Sequence, residues 1–404
     1  MPFLTIWRAI MEKIFIMNLG TTSFKFKFYA FENETCSVLA TGELESIGAQ
    51  ESSYELTYAD GTVICEKAPI ADHGAAFAHC FAILQRDGIV RDLDDLTAVG
   101  YKAVHGGNLS GTCLVDDELI AEMERVTPFA PAHNPIYLNA MKDIRKRFPG
   151  LTQVARFETS FHGTIPEKRV TYGVPYEWKQ ELGIRRYGFH GSSHQYISQT
   201  LARLDPCARR VINCHLGGSS SICAILDGKS VATSMGATLQ SGLFNNNRVG
   251  DFEPFCLKPI MDHYGYSLDE TMEILSKKSG LLGLSGVSND LRLVMEAAQQ
   301  GNAQAQLAVD TLCDNIVGYI GMYAAYLNGL DALVFTGGIG TNSHILRQKV
   351  CENLTYLGLC LDEEKNLQRG DGRISTADSA VSVWRLKTDE ESVVAACVRE
   401  YLHQ

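Results

Sequence analysis

Apolar and polar positions alternate from Ile14 to Tyr29 as in a hairpin. The run IFIMNLG is followed by a Thr/Ser turn, and Phe24, Phe26 and Phe28 then face away from Lys25 and Lys27. The first strand begins only after Met11, which leaves residues 1–10 as an extension. A similar unit stands near the middle of the chain, where VINCHLGG (211–218) passes through Ser219 to Ser221 into ICAIL and closes on the turn pair Asp227-Gly228. One strand, Gly/Ser loop, strand unit in each half predicts a duplicated architecture with a phosphate-binding hairpin in each. Two ordinary β-hairpins would leave the same pattern. Residues 305–327 are apolar around most of a helical circumference, as in a helix buried against a sheet. Asn328-Gly329 then leads into a strand, DALVF, and the run TGGIGTNS (336–343). Strands alternating with helices predict an α/β class. With no Pro/Ser-rich or low-complexity tract between the halves, a hinge is expected to join them.

Composition refines this picture. A chain of 404 residues with 45% apolar content can bury two cores. A formal charge of −11 argues against nucleic acid or an anionic membrane as partner, but local cations and backbone N–H groups can still hold a small anion. The twelve cysteines show neither a CxxC pair nor metal-ligand spacing, so no zinc site and no disulfide framework is expected. The apolar start is interrupted by Arg8, Glu12 and Lys13, too short and too charged for a signal peptide, and no run is long enough to cross a bilayer. The expected location is cytoplasmic.

The candidate chemistry is anion binding. Four glycine-rich runs qualify as cradles: NLGTTS (18–23), HGG (105–107), HLGGSSS (215–221) and TGGIG (336–340). Glycine lets backbone N–H groups approach phosphate oxygens, and hydroxyls add donors. The candidates around the first and third runs are Thr21, Ser23, Lys25, His215, Gly217 and Gly218. None of the runs is a Walker A loop or a GxGxxG fingerprint. Six histidines, His105, His133, His162, His190, His194 and His215, sit at Gly- or Pro-punctuated junctions, and one or two of them are expected to meet ligand. The absence of an HExxH pair speaks against zinc hydrolysis.

These segments, together with VHGGNLSG, APAHNP, RFETSFHGTIP, YGFHGSSH, NNNRVGDFEP, SGLLGLSGVSNDLR and FTGGIGTNS, occur in an order and spacing that resembles the acetate kinase family from Met11 almost to the end. The resemblance implies two related actin-like (ribonuclease H-like) α/β domains with an interdomain cleft. Residues 11–160 plus 387–404 would form the N-terminal domain and 161–386 the nucleotide-binding one, usually in a homodimer. The implied activity is reversible phosphoryl transfer from ATP to a small carboxylate, with Mg²⁺ (or Mn²⁺) and no nucleic acid or membrane partner. A carboxylate is already ionised at pH 7, so the task is to offset repulsion between two anions rather than to supply a strong base. By this resemblance Arg248, His190, Glu158 and Lys102 are catalytic, and Asn18 and Glu390 place the metal. Asp290, Leu291, Arg292, Gly338, Ile339 and Asn342 line the adenosine pocket, and Val104, Ala132, Phe189 and Leu239 line the acid pocket.

Several positions depart from the family pattern. Lys102 (YKAVHGG) stands where HRVVHGG has arginine, and loses the planar fork that grips a carboxylate. Glu158 (FETSFH) replaces the aspartate of FDTAFH, and Gly218 (HLGGS) replaces the asparagine of HLGNG. In ATLQSGLFNNNR, Leu239 takes the place of a pocket proline, and Asn246 and Asn247 precede Arg248 in place of GT. Three readings stay open at this point: a kinase for another small acid, an ordinary acetate or propionate kinase, or a catalytically weak nucleotide-binding paralogue.

Overall fold

A computed structural model describes residues 11–404. It divides into two compact units, one made of the chain up to Ser160 together with Glu390–Gln404, the other of Phe161–Asp389. The strands of the first are β1 (Glu12–Leu19), β2 (Ser23–Glu32), β3 (Thr35–Glu45), β4 (Ser52–Tyr58), β5 (Val63–Ala68), β6 (Ala98–Ala103), β7 (Thr112–Leu114) and β8 (Gln153–Phe157). Those of the second are β9 (Arg210–His215), β10 (Ser221–Leu226), β11 (Lys229–Thr233), β12 (Ala332–Thr336), β13 (Gly372–Arg373) and β14 (Ser382–Arg385).

The duplication expected from the two hairpins is visible in the pairing. The first sheet contains the order β3-β2-β1-β6-β8, and the second the order β11-β10-β9-β12-β14. In each, the first strand runs antiparallel to the second and parallel to the fourth, which is parallel to the fifth. This is the mixed α/β sheet expected of an actin-like unit. The first unit extends it with β4 and β5 on one edge and β7 on the other.

Both sheets are covered on both faces, as parallel central strands require. On one face of the first, Phe24, Phe26 and Phe28 join Phe15 and Phe77, with Phe15 stacked on Phe26 at 4.6 Å and edge-on to Phe77 of helix His73–Arg86 at 5.2 Å. On the other, Ile14, Ile16, Ala98 and Val154 pack against Val394, Ala395 and Val398 of helix Glu390–Leu402. The chain thus returns after the second unit to complete the core of the first. In the second unit, helix Ala303–Leu327 covers Ile212, Cys214, Leu333 and Phe335. Ile197 and Leu201 of helix Gly191–Leu204 cover Val211, Cys223, Ile225 and Val334 on the opposite face. Asn302 caps the long helix by accepting from the Gln304 and Ala305 amides, and Asn328, with φ 53°, ends it. No described helix is long and apolar enough to cross a membrane.

Candidate active site

In the first unit, the candidate residues gather where β1, β6 and β8 end, the edge at which α/β sheets present ligand sites. Asn18 is next to last in β1, Lys102 next to last in β6, and Glu158 directly follows β8. Lys102 Nζ lies 2.5 Å from Glu390 Oε2, at the first residue of helix Glu390–Leu402. Burial favours the neutral amine, but the opposing pull of Glu390 and then Glu158 wins and holds the Lys102 ammonium well above its ordinary range. Glu158 itself is buried. Asn18 Nδ2 donates to Glu391 Oε1 at 3.1 Å, and Lys27 Nζ approaches the other oxygen of Glu391 at 3.6 Å. Asn18 therefore meets the glutamate one position after the one singled out in the sequence. The Tyr137 hydroxyl, which no motif marked, accepts from the Leu19 amide at 3.0 Å and fixes the start of the β1–β2 loop. Thr21 is exposed, Ser23 opens β2, and Lys25 pairs with Glu43 at 2.5 Å. Val104 is buried just beyond β6, and Ala132 is exposed ahead of helix Asn134–Arg147.

The second unit assembles the nucleotide candidates. Gly217, Gly218, Asp290, Leu291, Arg292, Gly338, Ile339 and Asn342 all line one cavity of about 670 Å³, a size suited to a small-molecule ligand. Met295, His344 and Ile345 line it as well and carried no motif signal. The segment expected as a loop cradle at 336–340 forms a short helix, Gly337–Asn342. Its Ile339 and Gly340 amides both donate to the Leu216 carbonyl, at 2.8 and 3.1 Å, which ties it to the β9–β10 loop. Arg347, almost wholly buried, steadies it from behind by donating to the Gly340 and Thr341 carbonyls at 2.8 and 2.9 Å. Helix Leu291–Gln299 is capped by Asp290, which accepts from the Arg292 amide at 2.9 Å. The same carboxylate pairs with the Arg292 guanidinium at 2.5 Å.

The β9–β10 loop continues from this cavity to Arg248. Gly217 N donates to Ser220 Oγ at 3.1 Å, Ser220 N to Asn245 Oδ1 at 2.6 Å, and Arg248 Nη1 to Ser219 Oγ at 3.1 Å. Burial lowers the Arg248 pKa, though a guanidinium keeps its charge. The Asn245–Arg248 turn leans on Gly280, whose φ of +59° is left-handed and whose missing side chain leaves room for the Asn245 and Arg248 carbonyls.

Four of the loop histidines form a cluster beside it. His190 sits at φ 57° just before helix Gly191–Leu204, and its ring stacks on His215 with centroids 4.3 Å apart. Its Nδ1 lies 2.9 Å from Ser221 Oγ, while His194 Nε2 lies 2.8 Å from the same oxygen. His215 Nδ1 meets Ser193 Oγ at 2.7 Å. His162 is held by Phe189 O and Ser230 Oγ, each at 2.9 Å, and burial pushes its pKa down to about 4. His194, fully buried, is also held well below the ordinary range, by burial first and then by His162 and His215. Phe189, directly before His190, is buried, and Leu239 is half-buried. His105 turns inward, where its Nδ1 accepts from the Gly107 amide at 3.0 Å, and His133 is the residue before helix Asn134–Arg147. Among the described residues, no group of three or more His, Cys, Asp or Glu side chains could hold a metal ion by itself.

Residues 13–396 match the Acetokinase family. An acetate kinase of Campylobacter jejuni subsp. doylei is 42% identical over 397 residues, covering 96% of this chain and 99% of that protein. An acetate kinase of Natranaerobius thermophilus is 40% identical over 390 residues, covering 95% and 98%. Among solved structures, the acetate kinase of Porphyromonas gingivalis has a TM-score of 0.87 at 36% identity, covering 97% of this chain and all of that one. A propionate kinase from Francisella tularensis subsp. tularensis has a TM-score of 0.87 at 33% identity, covering 96% and 99%. With a family match across nearly its whole length, a cavity that assembles the expected nucleotide residues and a twofold-repeated actin-like sheet, the chain belongs to the acetate kinase family.

Proposed function

We propose that this protein is a carboxylate phosphotransferase that moves the γ-phosphoryl group of ATP to acetate, giving acetyl phosphate and ADP, and that it also runs the reaction in reverse. The observation that carries this reading is continuity within the second unit. Gly217 and Gly218 line the nucleotide cavity, and the next residues of the same loop hold Arg248 through Ser219 and His190 through Ser221. A nucleotide in the cavity would lead its phosphates along this loop toward the guanidinium and the imidazole. Both can hydrogen-bond oxygens on which charge builds as the phosphoryl group transfers.

The acceptor carboxylate needs no base, so Lys102, Glu158 and His190 act by charge and position. Val104 and Ala132 in the first unit, and separately Phe189 and Leu239 in the second, are the residues proposed to contribute apolar contacts to the acid. Thr21, Ser23 and Lys25 in the first unit, and separately His215 in the second, are the proposed phosphate-binding side chains. Asn18 and Glu390 are the proposed Mg²⁺ residues; each can offer a side-chain oxygen, which suits an ion that keeps several waters and seeks few protein ligands. When bound, Mg²⁺ would supply positive charge that offsets the charge of the nucleotide phosphates. We also read the protein as a homodimer, supported by exposed Phe255, Tyr264, Leu268 and Met272 in the second unit.

A second reading, a preference for another short acid, is favoured by the Lys102–Glu390 pair. A lysine already engaged at 2.5 Å has one point charge to share, where an arginine could bond glutamate and acceptor together. ADP release measured with acetate, propionate and butyrate decides between them, since turnover with acetate alone or foremost supports the first. Arg248→Ala should lower kcat at least about a hundredfold, as loss of a transition-state donor does. Its thermal stability and ATP-induced stabilisation should stay near wild type. Turnover close to wild type in that variant would refute the assigned site.

A further inference from the structure

Period-two alternation along β9 points Asn213 and His215 to the sheet face covered by helix Gly191–Leu204, and Ser221 of the neighbouring strand points the same way. The helix presents His194 to that face, one turn after His190. All three groups between the strand and His190, namely Asn213, His194 and Ser221, are fully buried. They make an unbroken line: Asn213 Nδ2 to His194 Nδ1 at 2.8 Å, His194 Nε2 to Ser221 Oγ at 2.8 Å, and Ser221 Oγ to His190 Nδ1 at 2.9 Å.

The donor rules fix the direction. An amide nitrogen can only donate, so His194 Nδ1 accepts and the single ring proton of neutral His194 lies on Nε2. That N–H donates to the Ser221 oxygen, which leaves the Ser221 hydroxyl proton for His190 Nδ1. His190 then carries its own proton on Nε2. The left-handed backbone of His190 and the His215 ring stacked on it, itself bonded to Ser193, hold the imidazole in one orientation.

We propose that Asn213, His194 and Ser221 are positioning residues. They form a buried relay that keeps the His190 proton on Nε2, so that His190 meets a phosphoryl oxygen as a hydrogen-bond donor and not as a base. The consequence for catalysis rests on the reading of His190 given above, whereas the tautomer itself does not. A relay of this kind transmits information along the line: whatever sets His194 sets His190 through one hydroxyl. Turning the Asn213 amide over would invert every proton in it.

The test is nitrogen NMR of the full-length protein labelled with ¹⁵N-histidine, which distinguishes protonated from unprotonated ring nitrogens without reference to turnover. Expected in the native protein are a protonated Nε2 and an unprotonated Nδ1 on both His190 and His194. Ser221→Ala, close to isosteric, should leave the His194 signals in place and convert those of His190 to a mixture of tautomers. Asn213→Ala should mix both rings. A native His190 protonated on Nδ1 overturns the proposal. So does a His190 whose signals ignore Ser221→Ala, or one that holds its tautomer while His194 loses its own in Asn213→Ala. If Asn213→Ala does not fold, the native and Ser221→Ala spectra still decide. Absence of kinase activity alongside the expected spectra would refute the functional reading and leave the relay standing.

Discussion

Acid should loosen the second unit through His162. This side chain is buried, bonded to Phe189 O and Ser230 Oγ, and its pKa is pushed down from 6.5 to about 4, by burial against a weaker upward pull from the Phe189 hydrogen bond. The folded chain therefore refuses a proton that the unfolded chain accepts throughout the interval between those values. Stability is fully present above about pH 6.5, falls as pH drops through the window, and stops falling below about pH 4. The fall from 6.5 to about 4 is equivalent to about 3 kcal/mol at about 1.4 kcal/mol per pH unit. His194 lies 5.6 Å away ring to ring, is shifted in the same direction and steepens the loss, whereas Cys223, beside Ser230, stays protonated across the window. Urea unfolding at pH 7 and pH 4, followed by the fluorescence of Trp178 and Trp384, both in this unit, measures the effect. Carboxylates contribute to the raw acid loss, so the quantity to read is the difference between wild type and His162→Gln. Wild type should lose about 3 kcal/mol of its margin over the variant between the two pH values. A margin independent of pH would show that His162 titrates normally and would refute the burial argument.

Three further outcomes are expected. Gly280→Ala would place a methyl 2.1 Å from the Asn245 carbonyl and 2.6 Å from that of Arg248. It should destabilise the second unit by about 1–3 kcal/mol and, by displacing Arg248, cut kcat by roughly a hundredfold, as seen in denaturant titrations and steady-state kinetics. In a double-mutant cycle of Lys102→Met and Glu390→Gln, the pair should show a coupling of about 1–3 kcal/mol. Both side chains are only about 15% exposed, so a coupling of zero would mean that water compensates fully for the lost contact. Arg347→Met removes the donors that hold the Gly340 and Thr341 carbonyls behind the cavity; the ATP dissociation constant by calorimetry should rise about tenfold, as for loss of about 1.4 kcal/mol.

What the sequence revealed and what it hid follow from the range of the signals. Alternation is local, so Phe24, Phe26 and Phe28 disclosed both the strand and its buried face, and the two hairpins disclosed the repeated sheet. Glycine runs are also local, and they led to Gly217, Gly218, Gly338 and Ile339, which the fold brings into one cavity from segments about 120 residues apart. Asn213, Ser221 and His194 join from a strand, its neighbour and a helix, and nothing in NCH, SSS or GSSH announces that their polar atoms meet. Asp290 capped the helix because its φ and ψ are extended while its carboxylate reaches the Arg292 amide, and Ser288 and Asn289 are equally good cap types by composition. Glu390 and Glu391 are adjacent and alike, and only the helix rotation decides that one meets Lys102 and the other Asn18. The family resemblance supplied roles that spacing alone could not.

The helix that finishes the first sheet has a consequence for how the protein is made. Ile14, Ile16, Ala98 and Val154 emerge early from the ribosome, but Val394, Ala395 and Val398, which cover them, are synthesised only after the whole second unit. Throughout translation one face of the first sheet lacks its lid and exposes a row of aliphatic side chains beside Tyr29 and Phe31. Vectorial synthesis thus leaves the first unit as a dependent of the last residues made. The second unit, whose own covering helix Gly191–Leu204 precedes its strands, can close as soon as β14 is released.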